Sequence, residues 1–283
     1  MCERIIHQIW MQGADRAPEY FLSYSKRIRD MHPEWPYMFW DEPRIQSLVG
    51  TQDAWRSKYA TFVHLHQRVD FAKLLIIFTH GGIVIDADAY TVRKLDSLFD
   101  EHADASLIVS EVRQFAKPVG WIQSLLGCGD TGKCINNGSY IGKARSRVLA
   151  TMIDRLLAVP GCEPSTGKMS CIQATTGPPV FHRLVREYAR DPTSRVVVLE
   201  YTTLEPCLST LCEISERTYV AHAHELTWCS PAFVWFVRLY VRHHAIVNAA
   251  AILLMLMLLA LGSFLVYRII ARSTKKTPKN SGA

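Results

Sequence analysis

The sequence lacks several features that would assign it to a common class of protein. Its eight cysteines include no C-x-x-C pair, which argues against a zinc cluster and leaves their disulfide status open. No internal repeat and no low-complexity segment precede the C-terminal tail, so a repeat architecture is not expected. The apolar run within residues 1–12 is too short for a secretory leader.

Positive charge is scarce outside the C-terminus. The formal net charge is +6, and residues 268–283 contribute five basic side chains and no acidic one, which leaves about +1 for everything before them. A nucleic-acid-binding protein needs a basic face that displaces counterions, so we expect no nucleic-acid partner. The basic tail is typical of a solvated flank beside lipid head groups.

A long uncharged segment lies immediately before this tail. Residues 246–267 form a run of 22 residues without a charged side chain. At about 1.5 Å per helical residue the run spans roughly 33 Å, which is enough to cross the hydrocarbon core of a membrane. A buried core helix of this length would normally show a polar face. The pattern therefore predicts one C-terminal transmembrane helix.

The segment that leads into the predicted span is rich in aromatic side chains. It reads SPAFVWFVRLYVRHHA, and Ser230 followed by Pro231 is a typical helix start. Its rings and paired histidines fit a membrane interface and fit packing against a folded domain equally well. We divide the chain into a globular domain (1–229), an amphipathic membrane-interface segment (230–245), a transmembrane helix (246–267) and a basic tail (268–283).

Two sequence signals disagree about membrane orientation. A C-terminal anchor without a leader would leave the domain in the cytosol. The basic residues after the span instead favour a cytosolic tail, which would place the domain in the lumen. Both interpretations describe a single-pass protein, and we expect an endomembrane of the Golgi or ER type.

Short apolar segments alternate with helical ones along the globular part. RIIHQIW, WPYMFW, ASLIVSE and RVVVLEY are typical of strands, and the segments between them carry apolar residues at helical spacing. This alternation predicts an α/β domain with a mainly parallel sheet, in which ligands bind beyond the carboxyl ends of the strands. A glycine-rich loop contains Gly132 and Lys133, but Cys134 replaces the Ser or Thr of a P-loop, so ATP binding is not expected there.

The stretch THGGIVIDADAY, residues 79–90, places two aspartates at the end of a strand. A helix predicted over 61–80 stops at two glycines, and the apolar strand after them runs into Asp86 and Asp88. Residues two apart on a strand point the same way, and two carboxylates held together repel unless a cation lies between them. Oxygen ligands favour Mg²⁺ or Mn²⁺, which completes its shell with water and substrate phosphates. On the preceding helix, Asp70 and Lys73 form either an ordinary salt bridge or part of the same site.

These segments resemble the DXD-containing glycosyltransferases of family 32. That family includes the fungal initiating α-1,6-mannosyltransferases, the inositol-phosphorylceramide mannosyltransferases and the α-1,4-galactosyltransferases. The block at 69–90 is the most specific. The segments that carry the resemblance are RIIHQIW (4–10), HPEWPYMFWDE (32–42), VDFAKLLIIFTHGGIVIDADAY (69–90), NNGSYIGKARS (136–146), TTGPPVF (175–181) and AHAHELTW (221–228).

The resemblance implies a GT-A (Rossmann-like) domain that binds a nucleotide-sugar and Mn²⁺ or Mg²⁺ and transfers the sugar with retention of configuration. It gives metal-binding and catalytic roles to Asp86 and Asp88, and a late metal or phosphate contact to His222 or His224. The donor-binding residues that it implies are Trp10 on the base, Asp70 on the nucleoside or sugar, and Lys73, Arg68, Gly81 and Gly82. Lys73 departs from the family, which usually has an arginine there. Lysine keeps the charge but loses the bidentate fork, and Arg68 is the expected compensation.

The sequence thus predicts a membrane-anchored, metal-dependent hexosyltransferase that moves mannose from GDP-mannose to a glycan or a sphingolipid-type acceptor. UDP-galactose or UDP-glucose is the alternative donor. A metal-dependent phosphohydrolase and an inactive, tail-anchored interaction protein are the alternatives from other classes. The hydrolase would need further ligands close to the aspartates, which the neighbouring sequence does not supply.

Overall fold

The computed structural model describes residues 2–115, 119–120, 133–163, 165–209, 211–225 and 229–274, without the side chains of 269–274. The chain divides into two compact units, Met1–Trp235 and Phe236–Ala283. The first unit holds the sheet described below. The predicted division into four segments stays a prediction.

A six-stranded sheet forms the centre of the first unit. Its strand order is β2-β1-β3-β6-β5-β7. Strand β1 pairs in parallel with β2 and β3, β5 pairs in parallel with β7, and β6 runs antiparallel to both β3 and β5. The α/β class with a mainly parallel sheet is therefore confirmed. The strands are β1 (Ile6–Ile9), β2 (Tyr37–Trp40), β3 (Gly82–Ile85), β4 (Ala89–Thr91), β5 (Leu107–Ser110), β6 (Ser139–Gly142), β7 (Val196–Leu199), β8 (Cys207–Leu208), β9 (Leu211–Cys212) and β10 (Val220–His222).

Helices cover both faces of this sheet. Val84 of β3 packs into the apolar core beneath α4, while Ile83 and Ile85 pack into the second core on the other face, as the alternation of side chains along a strand requires. The helices are α1 (Glu19–Met31), α2 (Glu42–Val49), α3 (Asp53–Ala60), α4 (Leu65–His80), α5 (Asp96–Glu101), α6 (Arg147–Ala158), α7 (Lys168–Thr175), α8 (Pro178–Ala189), α9 (Tyr201–Leu204) and α10 (Pro231–Thr274).

The helix predicted over 61–80 begins later than expected. Thr61 ends the preceding helix α3, and α4 begins at Leu65 after His64, whose backbone N–H donates to Oε1 of Gln67 at 3.0 Å. The predicted end at His80 is confirmed. Residues Phe71 to Ile77 are buried, because α4 lies between the sheet and the helices α2 and α6.

The turn from α4 to β3 depends on two glycines. Gly81 and Gly82 have φ values of 68° and 92°, which only glycine adopts readily. A Cβ atom on Gly82 would lie 2.3 Å from the carbonyl oxygen of Ile5. Glycine at this position therefore allows β3 to pair beside β1, which fixes where Asp86 and Asp88 emerge.

The C-terminal helix matches the predicted apolar segment. Ser230 caps it as expected, since its Oγ accepts from the backbone N–H of Phe233 at 3.3 Å. Helical geometry is interrupted at His243, where φ is −132° and ψ is 30°. By length and composition, the stretch Pro231–Arg268 is able to cross a membrane.

Two disulfides lie in the described part of the first unit. Cys162, which precedes α7, is bonded to Cys171 within that helix. Cys207 is bonded to Cys212 across the β8–β9 hairpin. Each bond lies close in the chain to a residue that contacts the wall of the cavity described next. Thr176, which follows α7, donates to Asp70, and Glu205, which precedes β8, contacts His222.

Candidate active site

A cavity of about 370 Å³ lies beyond the carboxyl ends of β1 and β3. This is the position at which ligands bind in sheets of this kind. Apolar side chains form part of its wall, and charged or polar groups converge on one side. The polar residues that line it include Asp70, Lys73, Asp86, Asp88, Asn136, Asn137, His222 and His224.

Asp86 and Asp88 lie in the short turn between β3 and β4. The backbone N–H of Asp86 donates to the carbonyl of Gly138 at 3.0 Å, and the N–H of Ala89 closes the turn onto the carbonyl of Asp86 at 3.0 Å. Strand β4 then pairs antiparallel with β10, so that Ala89 lies opposite His222. This pairing brings a residue from late in the chain beside the two aspartates.

The imidazole of His222 lies between two groups of carboxylates. Its Nε2 atom is 3.0 Å from Oδ1 of Asp88 and 3.9 Å from Oδ2 of Asp86. Its Nδ1 atom is 3.0 Å and 3.2 Å from the two carboxylate oxygens of Glu205. Burial favours the neutral ring, but Glu205 and Asp88 outweigh this effect and raise the pKa of His222 well above its usual value.

Asp88 is held on both of its carboxylate oxygens. Oδ1 faces His222, and Oδ2 accepts from the backbone N–H of Glu225 at 2.7 Å. His224 has a φ of 52°, a left-handed conformation that is uncommon for histidine and that occurs where the chain folds back over Asp88. Burial alone would raise the pKa of the Asp88 carboxyl, but His222 and the Glu225 amide outweigh burial and lower it.

Glu205 is a member of this cluster that sequence reasoning missed. Its side chain is buried, and it contacts His222, His224 and the side-chain amide of Asn136, the last at 3.2 Å. Burial opposes ionisation, yet the two histidines lower the pKa of Glu205 to about 2. Nothing in the surrounding LEPC sequence signals a site, because the contact depends on how α9 packs beside β10.

Lys73 joins Asp70 to Asp86. Its ammonium forms an ion pair with Asp86, lies 3.8 Å from Asp70 and donates to the carbonyl of Asn137 at 3.1 Å. Burial lowers the pKa of a lysine, but Asp86 and Asp70 outweigh it here and raise the pKa of Lys73. The helical pair of Asp70 and Lys73 expected from spacing therefore exists, and the carboxylate of Asp86, in the turn after β3, forms a second ion pair with the same ammonium.

Asp70 is fixed by two further residues that sequence reasoning left without a role. Asn137 donates to its Oδ1 at 2.9 Å, and Thr176 donates to its Oδ2 at 3.1 Å. Burial raises the pKa of Asp70 to about 7, against the opposing effect of Lys73. Both partners lie in segments singled out by the resemblance, NNGSYIGKARS and TTGPPVF, and that was the only signal available for them.

Trp10 lies where the sequence predicts, at the end of β1 and in the cavity wall. Its Nε1 donates to the carbonyl of Arg16 at 3.2 Å, and its ring packs beside Phe21 with centroids 5.6 Å apart. The ring is half-buried, and its contacts with Arg16 and Phe21 fix its orientation. Such a surface is able to stack on a planar ligand.

Three predicted donor-binding residues lie elsewhere. Gly81 and Gly82 are at the amino end of β3, at the opposite end of the strand from Asp86, where they serve the turn described above. Arg68 donates to the carbonyl of Phe62 at 3.3 Å and stacks over Tyr59, so its guanidinium is already engaged away from Lys73. These three are not among the residues that line the cavity, and their donor-binding roles stay predictions.

The donor set around Asp88 fits a divalent cation. Asp86, Asp88 and His222 each offer one ligand atom, all within 4.8 Å of one another. Neighbouring ligands of an octahedral ion held at about 2.1 Å lie about 3.0 Å apart. That is the separation between Nε2 of His222 and Oδ1 of Asp88. The two carboxylates suit Mg²⁺ or Mn²⁺, and the imidazole offers the ion a nitrogen ligand.

Comparison with known proteins agrees with this site. Residues 18–104 match the family described as a glycosyltransferase sugar-binding region containing a DXD motif. Inositol phosphoceramide mannosyltransferase 3 of Schizosaccharomyces pombe is 29% identical over 120 residues, which is 40% of this chain and 33% of that protein. The mannosyl phosphorylinositol ceramide synthase SUR1 of Saccharomyces cerevisiae is 26% identical over 96 residues, 34% of this chain and 25% of that protein.

A viral protein and a solved structure are also similar. The uncharacterized glycosyltransferase L373 of Acanthamoeba polyphaga mimivirus is 31% identical over 90 residues, 31% of this chain and 36% of that protein. Mouse xyloside xylosyltransferase 1 in its apo form aligns with a TM-score of 0.49 at 12% identity, covering 80% of this chain and 99% of that one. The matched segment spans about a third or less of the length of each of the three sequence relatives named here.

The matched region contains the residues that carry the resemblance most specifically. It includes Asp70, Lys73, Asp86 and Asp88. It ends before Glu205 and before His222, which the fold adds to the same site. Residues 18–104 are therefore similar to the sugar-binding region of glycosyltransferases that contain a DXD motif.

Proposed function

We propose that the protein is a membrane-anchored, divalent-metal-dependent, retaining glycosyltransferase that transfers mannose from GDP-mannose to a sphingolipid-type acceptor. The observation that carries the proposal is the convergence of Asp86, Asp88 and His222 on one point at the edge of a cavity that Trp10 also lines. A nucleotide-sugar offers chemistry for each of these groups, because it has a planar base, a diphosphate and a sugar.

Different residues of the cavity bind the cation, the base and the sugar of the donor in this proposal. A divalent cation bound there would neutralise the negative charge that develops on the departing diphosphate. Asp88 and His222 are the direct ligands in this proposal, while Asp86 shares its carboxylate between the cation and Lys73. Trp10 stacks on the base, and Asp70 accepts hydrogen bonds from the nucleoside or the sugar.

Retention of configuration is proposed to follow same-face displacement. Asp70 is held by Asn137, Thr176 and Lys73, so each of its oxygens already accepts one hydrogen bond and keeps its second lone pair for the donor. Such a carboxylate is suited to orient a donor rather than to attack it as a nucleophile. Orientation of both substrates then supplies much of the rate enhancement.

The assignment of mannose and of a sphingolipid acceptor follows the names of the relatives. Inositol phosphoceramide mannosyltransferase 3 and the synthase SUR1 are both named for mannosyl transfer or for a mannosylated inositol ceramide. An apolar C-terminal helix is consistent with a lipid acceptor, since it would keep the domain at a membrane. UDP-galactose and UDP-glucose remain the alternative donors.

We further propose that the domain lies on the lumenal side of a Golgi or ER membrane. Disulfides persist in oxidising compartments, and the described part of the domain contains two. The basic residues after the apolar helix favour a cytosolic tail, which gives the same orientation. The two arguments are independent of each other.

The test uses the full-length protein in detergent with Mn²⁺ and a panel of GDP-mannose, UDP-galactose and UDP-glucose. Of the three donors, we expect only GDP-mannose to release its sugar slowly when no acceptor is present, and we expect a chelator to abolish this release. When inositol phosphoceramide is added, mannose should be transferred to that lipid. Turnover of a UDP-hexose instead would replace the mannose assignment. Release of phosphate from simple diphosphates without any sugar dependence would favour a phosphohydrolase and contradict the proposal.

A further inference from the structure

The cluster of Glu205, His222 and His224 contains two histidines but only one that faces the aspartates. Two groups of potential metal ligands occur among the described residues. Asp86, Asp88 and His222 form one group, and Glu205, His222 and His224 form the other. The two imidazoles are stacked with centroids 3.9 Å apart. His224 therefore lies against the face of the ring that reaches the DXD aspartates.

Glu205 determines which nitrogen of His222 is available to a metal. A carboxylate accepts hydrogen bonds, so the Nδ1 atom, 3.0 Å and 3.2 Å from the two oxygens of Glu205, must carry a proton. A metal that displaces the other proton would therefore take the lone pair on Nε2. This is the nitrogen that lies 3.0 Å from Oδ1 of Asp88. Fixing the tautomer in this way is how outer carboxylates orient histidine ligands in metal proteins.

The position of Glu205 is itself tightly specified. Its side chain is buried, and Asn136 donates to its Oε1 at 3.2 Å. Gly138 lies against the pair: a Cβ atom there would be 2.6 Å from Nδ1 of His222 and 2.9 Å from Oε1 of Glu205. The β8–β9 hairpin, closed by the Cys207–Cys212 disulfide, begins two residues after Glu205. The carboxylate thus has little freedom to leave the imidazole.

We propose that Glu205 is a positioning residue that selects His222, and not His224, as the nitrogen ligand of the metal by holding the Nδ1–H tautomer. This inference deepens the proposed function, because it concerns the same metal site. It does not depend on which sugar is transferred. The role of His224 is to pack against His222 and to contact Oε2 of Glu205, 3.2 Å away.

The test measures Mn²⁺ binding to the full-length protein in detergent by electron paramagnetic resonance. Glu205→Gln keeps the shape of the side chain but removes the charge, and its amide is free to present either end to Nδ1. We expect the Kd for Mn²⁺ to rise by about 10- to 100-fold, the range seen when the outer partner of a metal ligand is removed. Glu205→Asp, which keeps the charge, should recover part of this loss.

The matched control is Glu213→Gln. Glu213 lies in the same segment of the chain and forms an ion pair with Arg113, but it is half-exposed and does not touch either histidine. If the loss came from loosening of the hairpin, this variant would show it as well. We expect its Mn²⁺ affinity to match that of the unaltered protein.

A spectroscopic signature separates positioning from general stability. The nitrogen of a coordinated imidazole modulates the spin echo of bound Mn²⁺. We expect this modulation in the unaltered protein and in His224→Ala, its loss in His222→Ala, and its weakening in Glu205→Gln.

Two results would overturn the inference: unchanged Mn²⁺ affinity in Glu205→Gln, or loss of the modulation in His224→Ala with its retention in His222→Ala. Failure of the proposed function would appear differently, as Mn²⁺ binding without turnover of any nucleotide-sugar.

Discussion

The Nε2 atom of His222 lies 3.0 Å from Oδ1 of Asp88, although 134 residues separate the two in the chain. The contact exists because β10 pairs with β4, the strand that begins directly after Asp88. A carboxylate and an imidazole at this separation are positioned to share one metal ion.

Asp88→Asn should reduce turnover by roughly 100-fold or more, the scale of losing one group that stabilises developing charge. The substitution keeps the size of the side chain and removes the negative charge that a cation requires. Turnover is measured as release of free sugar from the nucleotide-sugar that the unaltered protein hydrolyses. Asp30→Asn, in an exposed ion pair with Lys26, is the control and should change nothing. Near-normal activity of Asp88→Asn would refute its role.

Lys73→Met should destabilise the fold strongly. The ammonium is buried and compensates both Asp86 and Asp70, so its removal leaves Asp70 and the Lys73 side of Asp86, both largely shielded from solvent, without their nearest cation. Removing one partner of a buried ion pair costs about 3–5 kcal/mol of the free energy of unfolding. The measurement is thermal unfolding in detergent with and without Mn²⁺, which should restore part of the loss by replacing the missing positive charge.

Lys26→Met is the matched control for that lysine. Lys26 pairs with Asp30 four residues later on α1, and both side chains are mostly exposed to solvent. Exposed pairs of this kind contribute little, so the melting temperature should stay close to that of the unaltered protein. An equal loss in both variants would contradict the importance assigned to Lys73.

Gly138→Ala should impair metal binding without removing any ligand. The added Cβ would lie 2.5 Å from Cε1 of His222, so the imidazole must leave the position in which it faces Asp88. Displacement of a ligand by a few tenths of an ångström disturbs an octahedral site. The Mn²⁺ affinity should fall, and Gly167→Ala, whose Cβ meets nothing within 4 Å, should not alter it. Normal affinity in Gly138→Ala would show that the imidazole has room to move.

The half of the site that comes from β3 was predictable, and the half that comes from β10 was not. Asp86 and Asp88 were predicted at a strand end because apolar periodicity and the glycine turn are local signals. His222 was proposed only through resemblance. Its partner Glu205 carries no local signal, because their contact arises from the packing of α9 against β10, two elements 16 residues apart at their nearest ends.

Only one of the two ion pairs of Lys73, on α4, was predictable from the sequence. Spacing predicts its pairing with Asp70, since residues three apart share a helix face. Its ion pair with Asp86 depends on where β3 emerges relative to α4, which sequence spacing does not specify. The short helix α3 was also missed, because its eight residues give too few turns for a periodic pattern.

His7 should make the fold sensitive to acid. Its Nε2 lies 2.8 Å from the carbonyl of Gly81, and its Nδ1 accepts from Nε1 of Trp40 at 3.2 Å, so the buried ring is neutral. Burial lowers the pKa of His7 to about 4, below the value of 6.5 expected in the unfolded chain. The unfolded state therefore binds more protons between pH 4 and 6.5, and this contribution to stability is lost as the pH falls through that window.

The measurement for His7 is the melting temperature from pH 4.5 to 7.5. A pKa difference of this size corresponds to about 3 kcal/mol at most across the window. In His7→Gln the amide is able to replace both hydrogen bonds but does not titrate, so the decline on the acid side should be less steep. An equally steep decline in both proteins would assign the acid sensitivity to other groups.

Protease treatment of sealed microsomes should leave the domain intact. A lumenal domain is protected by the membrane, and the basic residues after the apolar helix are exposed to added protease. After the membrane is opened with detergent, the domain should resist digestion until a reductant breaks Cys162–Cys171 and Cys207–Cys212, which constrain the segments next to Thr176 and Glu205. Digestion of the domain in sealed vesicles would place it in the cytosol, where thiols are kept reduced and these two bonds would not persist.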